Sequence, residues 1–170
     1  LLAWLFIYFD GGVKKMIFVI PAYLIAAAQS SHKKFFPRGP FVSVNIAQFG
    51  LESDWGKAQS GVNNFFGIKA NAEQITAGEF TTRWTKEQDA TGMVRTIQDR
   101  FANYASLEAC FDAHATLLTS AHYHDCEVAQ TPEAYCYALK ADGYATAINY
   151  PEALIAIIND FNLKQYDQTF

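Results

Sequence analysis

The chain has little cysteine, no strong basic patch and no long apolar run. Its three cysteines, Cys110, Cys126 and Cys136, form no Cys-x-x-Cys pair. That spacing argues against a zinc ribbon or a dithiol redox motif. A Cys126–Cys136 bridge is one reading. Three reduced, mostly buried thiols is the reading adopted, in keeping with the preference of free cysteine for interiors. Acidic residues outnumber basic ones, 17 to 13, for a formal charge of -4. The basic clusters, Lys14-Lys15 and Lys33-Lys34 with Arg38, are short. Nucleic acid is therefore not an expected partner, because phosphate contacts need clustered Lys and Arg. His32, His114, His122 and His124 do not make a ligand set, so no metal or other cofactor is expected. The run LLAWLFIYF at 1–9 is much too short to span a bilayer as a helix.

What is present is apolar and aromatic. Hydrophobic residues make up 51% and aromatic residues 15% of 170 positions. This excludes a disordered chain and suits one domain with a sizeable core, a ring-lined cleft, or both. No internal repeat, low-complexity segment or linker follows residue 20. Residues 1–18 read as an apolar extension without an assigned role, and residues 19–167 as the folded domain. The segment MIFVIPAYLIAAA (16–28) allows two readings. Two preceding lysines and a small-residue end outline a secretory signal. Pro21 at a helix start, with Ala22, Ile25, Ala26, Gln29 and Lys33 at helical spacing, outlines the first core helix. The second reading is preferred because the chain runs on into SSHKKFF without a break. Membrane contact by residues 1–28 is correspondingly disfavoured.

Further along, Pro37 and Pro40 end that helix, and Ser43 is placed to cap a second. Val44, Ala47, Leu51 and Trp55 lie roughly on one face of it, and Gly56 is a stop signal. Residues 57–78 read as loop. The β-branched and aromatic stretches 79–87 and 93–101 flank Asp89-Ala90-Thr91-Gly92 and predict a β-hairpin. Ser106 opens a helix to about Ala121, with Leu107, Cys110, Phe111, His114 and Leu118 on one side. Thr131-Pro132-Glu133 caps another, closed by Gly143, and Pro151-Glu152 starts the last. The expected class is α+β, mostly α-helical, with one β-hairpin.

The stretch QFGLESDWGKAQSGVNNFFGIKA (48–70) carries the chemistry. Glu52 sits where the helical pattern stops. The negative end of the helix dipole, apolar neighbours and the nearby Asp54 would each raise its pKa. A raised pKa is what a general acid working near neutrality needs. The rival reading is a solvated surface carboxylate. The loop beyond it weighs against that. Asn63 and Asn64 offer amides, Phe65 and Phe66 offer flat faces, and Gly61 and Gly67 admit close backbone approach. Sugars are held by such sets, although one of the two phenylalanines is expected in the core.

Leu51-Glu52-Ser53-Asp54-Trp55-Gly56, followed by Asn63-Asn64-Phe65-Phe66-Gly67-Ile68-Lys69-Ala70, resembles the glucosaminidase family of peptidoglycan hydrolases. The likeness continues in order. Thr85-Lys86-Glu87 resembles the family's Thr-x-Glu on its hairpin. Phe101-Ala102-Asn103-Tyr104 and then SLEACFDAH (106–114) resemble the entry to the next helix. Gly143-Tyr144-Ala145-Thr146 and Tyr150 resemble a late Gly-Tyr-Ala-Thr motif. The resemblance covers about residues 19–167 and implies a lysozyme-like helical domain whose hairpin lobe flanks the active-site cleft. It implies cleavage of the β-1,4 bond between N-acetylglucosamine and N-acetylmuramic acid. Glu52 falls on the catalytic acid, Glu87 on the second carboxylate and Tyr144 on the active-site tyrosine. Asn64 and Phe66 fall on the substrate groove, and Asn63, Asp54 and Trp84 are further candidate substrate contacts. Three departures stand out: Asp54 where the family often has Gly, Ala102 where it often has Arg, and Ala147-Ile148 where it often has Asp-Pro.

The implied partner is the peptidoglycan glycan strand, met by a monomer at the bacterial cell wall, periplasmic or extracellular. The outline looks most like a phage-type lysin or a minimal autolysin. Muramidase or lytic-transglycosylase chemistry on the same glycan is one alternative, and an inactive wall-binding protein is another.

Overall fold

The computed structural model describes residues 5–10, 13–88 and 93–167, and the side chains of 19–86 and 93–167. The described helices are α1 (Ala22–Phe35), α2 (Val42–Ser53), the short α3 (Ala72–Ala77), α4 (Leu107–Leu118), α5 (His124–Val128), α6 (Pro132–Ala141) and α7 (Tyr150–Asp160). Single 3-10 turns follow α4, at Ala121–Tyr123, and α7, at Leu163–Tyr166. Strands β1 (Leu5–Asp10) and β2 (Val13–Phe18) pair antiparallel, as do β3 (Phe80–Gln88) and β4 (Val94–Ala102). No helix among the described residues is long and apolar enough to cross a membrane.

Helix α2 is the centre of the body. Its residues Val42 to Gly50 and Ser53 are all buried. A helix with no charge before Glu52 has no face that prefers water, so it is covered all round. Leu51, expected inward, is instead 39% exposed. Ser43 does not cap the helix: it lies inside it, after Phe41 as N-cap. Its backbone N–H donates to Asp167 Oδ1 at 2.7 Å, from the far end of the chain. A carboxylate at a helix N-terminus is electrostatically well placed. At the other end Asp54, Trp55 and Gly56 all take positive φ, reversing the chain directly beyond Glu52. The Trp55 ring folds back so tightly that a Cβ on Gly50 would stand 2.8 Å from it. Trp55 also meets Phe161 edge-on at 4.9 Å.

Helix α1 forms, starting just after Pro21, but it buries Leu24, Ala27, Ala28, Ser31 and His32. The stripe expected from Ala22, Ile25, Ala26, Gln29 and Lys33 is rotated away from the core. Ser31 Oγ donates to Phe111 O at 3.1 Å, tying α1 to α4. Residues 16–18 belong to β2 rather than to this helix. The first hairpin was not expected, since residues 1–18 read as a bare extension. Asp10-Gly11-Gly12 between two apolar runs is a hairpin signal that outweighs the helix-like apolar content around it.

The caps at Ser106 and Thr131 hold: Ser106 Oγ accepts from Ala109 N–H, and Thr131 Oγ1 accepts from Ala134 N–H. Helix α4 ends at Leu118, one turn short of the expected Ala121. The 57–78 loop contains α3, which the sequence reading passed over. Strands β3 and β4 register from Phe80↔Ala102 to Gln88↔Val94. Only Phe101 and Ala102 of β4 are buried, so this hairpin stands out from the helical body on an anchored base. The three cysteines are free and buried.

Candidate active site

Asn45, Gln48 and Glu52 are spaced three and four apart along α2, which sets them on one side of the helix. Each of the three polar side chains meets a partner from later in the chain. Tyr150 Oη donates to Glu52 Oε1 at 2.9 Å. Gln48 Nε2 donates to that same hydroxyl at 3.2 Å. Asn45 Oδ1 lies 2.8 Å from His114 Nδ1. His114 Nε2 in turn lies 3.2 Å from Tyr144 Oη. The His114 ring stacks on Phe66, with centroids 3.8 Å apart and planes 6° from parallel.

Glu52, Phe66, Tyr144 and Tyr150 line a cleft made of two depressions that meet at Glu52, Tyr144 and Ala145, with Asn45, Gln48 and His114 buried behind them. One, of about 410 Å³, continues past Phe66, Lys69 and Leu117. The other, of about 670 Å³, continues past Lys86, Asn149 and Tyr150. Glu52 reaches solvent through the cleft, yet the packing around its carboxyl raises its pKa above the ordinary value by burial, with the Tyr150 hydrogen bond opposing. The expected cause was partly different. Asp54 contributes no resolved part of this shift. Its carboxylate pairs with Lys57 Nζ at 3.1 Å, 67% exposed, and Asp54 lines neither depression. Tyr144 and Tyr150 are both pushed up, chiefly by burial, so both remain neutral phenols near neutrality. His114 is pushed down to about 3 by burial and is a neutral imidazole.

The other expected contacts divide. Phe66 lines the cleft while only 5% exposed. Asn64 is fully buried. Its Nδ2 donates to Ile68 O and Ala102 O at 2.8 and 2.9 Å, and its Oδ1 accepts from Ile68 N–H at 3.1 Å. The amide expected in the groove therefore pins the loop to β4, because every bond it makes goes to backbone. Asn63 takes positive φ and donates from Nδ2 to Tyr104 O at 2.9 Å, again toward backbone. Trp84 stands 69% exposed on β3 and lines neither depression. Glu87 lies in β3 opposite Arg95 in register, and its side chain lies outside the described residues.

Gln48, Asn45 and His114 were not read as site residues, and Tyr150 was noted only within a motif. One signal was available: Asn45, Gln48 and Glu52 at helical spacing on a helix otherwise apolar but for two serines. What they would touch was not.

A family model described as mannosyl-glycoprotein endo-beta-N-acetylglucosaminidase matches residues 37–163. The chain is similar to the exo-glucosaminidase LytG of Bacillus subtilis, 33% identical over 134 residues, covering 74% of this chain and 46% of that one. It is similar to the peptidoglycan hydrolase FlgJ of Salmonella typhimurium, 35% identical over 120 residues, covering 66% and 37%. It thus spans less than half the length of these curated relatives. Among solved structures, the catalytic domain of the autolysin Auto from Listeria monocytogenes superposes with a TM-score of 0.70 at 27% identity, covering 88% of this chain and 90% of that one. A truncated glycoside hydrolase domain of S. typhimurium FlgJ does so at 0.64 and 29%, covering 83% and 94%.

Proposed function

Since the chain belongs to the glucosaminidase family, we propose that it hydrolyses the β-1,4 bond between N-acetylglucosamine and N-acetylmuramic acid in peptidoglycan, with Glu52 as general acid. The carrying observation is the carboxyl of Glu52 on the cleft floor, raised in pKa by burial and held through Oε1 by Tyr150. Oε1 is occupied as an acceptor, so the transferable proton belongs on Oε2. From there it passes to the glycosidic oxygen as the C–O bond breaks, and a neutral leaving alcohol departs.

Water then attacks the anomeric carbon from the opposite face. Glu87 takes a proton from that water, which gives inversion. In this reading the hairpin moves on glycan binding and brings Glu87 to the cleft. Tyr144, which lines both depressions beside Glu52, favours a second reading in which the acetamido oxygen of the substrate attacks and configuration is retained. The enzyme would act at the bacterial wall as a lysin or an autolysin.

Mass spectrometry of fragments released from purified peptidoglycan tests this. Reducing-end N-acetylglucosamine is the expected product. Reducing-end N-acetylmuramic acid would mean muramidase activity, anhydro-muramyl ends a transglycosylase, and no release an inactive wall-binding protein. Any of these three would overturn the assignment.

A further inference from the structure

The buried polar groups behind the cleft have a common direction. His114 is fully buried and makes both its hydrogen bonds inside the protein. Asn45 Oδ1 can only accept, so His114 Nδ1 carries the hydrogen. A neutral imidazole has one N–H, and the low pKa of this buried ring keeps it neutral. Nε2 is therefore a bare lone pair, and the Tyr144 hydroxyl must donate to it.

The second half of the cluster agrees. Gln48 donates from Nε2 to Tyr150, and Tyr150 donates to Glu52. Asn45 Nδ2 and Gln48 Oε1 are both buried and both without a hydrogen-bond partner. One is a donor and the other an acceptor, three residues apart on the same helix. Turning over Gln48 would occupy the Tyr150 proton and take the donor from Glu52. The sense of the Gln48 amide is thus set by its neighbours, while Asn45 turns Oδ1 to His114 Nδ1.

We propose that His114 is a positioning residue that, held by Asn45, draws the Tyr144 hydroxyl proton inward and so presents the Tyr144 oxygen to the cleft as an acceptor for the acetamido N–H of the reacting sugar. This rests on the reading of the cleft as a glycan site. A phenol has one proton, and once it is given to His114 the oxygen has only lone pairs to offer. His114 does this without touching substrate.

Imidazole nitrogen NMR of the histidine-labelled full chain tests the tautomer without any activity. The expected signature is a protonated Nδ1 and an unprotonated Nε2 for His114 at neutral pH. A protonated Nε2, alone or in an imidazolium, overturns the proposal. Kinetics on soluble glycan then test the consequence. His114→Phe keeps a ring on Phe66 but no nitrogen. It should lower kcat about tenfold, the value of one hydrogen bond, with little change in KM. His114→Gln, which can both donate and accept, should recover part of that loss. Tyr144→Phe should cost a similar factor, and the double variant no more than either single one. Additive losses, or His114→Gln no better than His114→Phe, would overturn the proposal. A protein that cleaves no glycan but shows the expected tautomer would refute the proposed function and leave the hydrogen-bond direction standing.

Discussion

Tyr150 and Glu52 are 98 positions apart, and the hydroxyl of one donates to the carboxyl of the other at 2.9 Å. This contact joins the end of α2 to the start of α7. It also opposes the burial that raises the Glu52 pKa. Tyr150→Phe should therefore move the Glu52 pKa further up. The alkaline limb of the pH–rate profile should shift to higher pH. Maximal kcat should fall about tenfold as Oε1 loses its donor. A limb that moves down, or not at all, would show that the bond does not tune the acid.

Glu52→Gln should reduce hydrolysis by about 100-fold or more, because the amide keeps the shape but has no acidic proton. The stability effect has a definite sign. A carboxyl whose folded pKa is raised favours the protonated folded state, and that advantage is lost as pH rises through the folded value. Wild type should thus melt at or below Glu52→Gln near neutrality. The gap should close below the ordinary carboxylate value of 4.5. Melting curves at several pH values check this.

Glu87→Gln should lower kcat about 100-fold while leaving Tm nearly unchanged, as expected of a general base on an outstanding hairpin. NMR of the first anomer released by wild type should show inversion. Retention, or a fully active variant, would transfer the step to the acetamido group of the substrate.

Asn64→Ala should destabilise the fold by about 2–3 kcal/mol, since it strands buried backbone groups at Ile68 and Ala102. Substrate affinity of the folded protein should change little. Chemical denaturation together with KM measured well below Tm separates these effects. A large rise in KM with unchanged stability would restore Asn64 to the groove.

Asp54→Asn should leave the pH–rate profile where it is. Its exposed carboxylate pairs with Lys57, an interaction in solvent worth about 0–1 kcal/mol. A downward shift of the alkaline limb at low salt would show coupling to Glu52.

Much of the local structure was legible in the sequence. Ser106 and Thr131 cap helices because a side-chain oxygen beside free N–H groups acts within one turn. β-Branched and aromatic residues on either side of a turn tetrad sufficed for β3 and β4. Glu52 stood out as the candidate acid by its place at the helix end and the motif around it. These signals act over a few residues, where sterics and hydrogen bonding leave few choices.

What tertiary structure decided depends on which surfaces meet. The buried face of α1 is set by its packing on α4, which periodicity alone misplaced by part of a turn. The N-terminus of α2 meets the Asp167 carboxylate rather than a Ser43 hydroxyl cap. Asn64 turned inward because loop backbone at Ile68 and strand backbone at Ala102 needed partners away from water. His114 looked like one more residue on an apolar helix face, and packing set it between Asn45 and Tyr144. Such contacts join residues tens of positions apart. Their partners follow from helix crossing and side-chain rotamers, which no short stretch of sequence specifies.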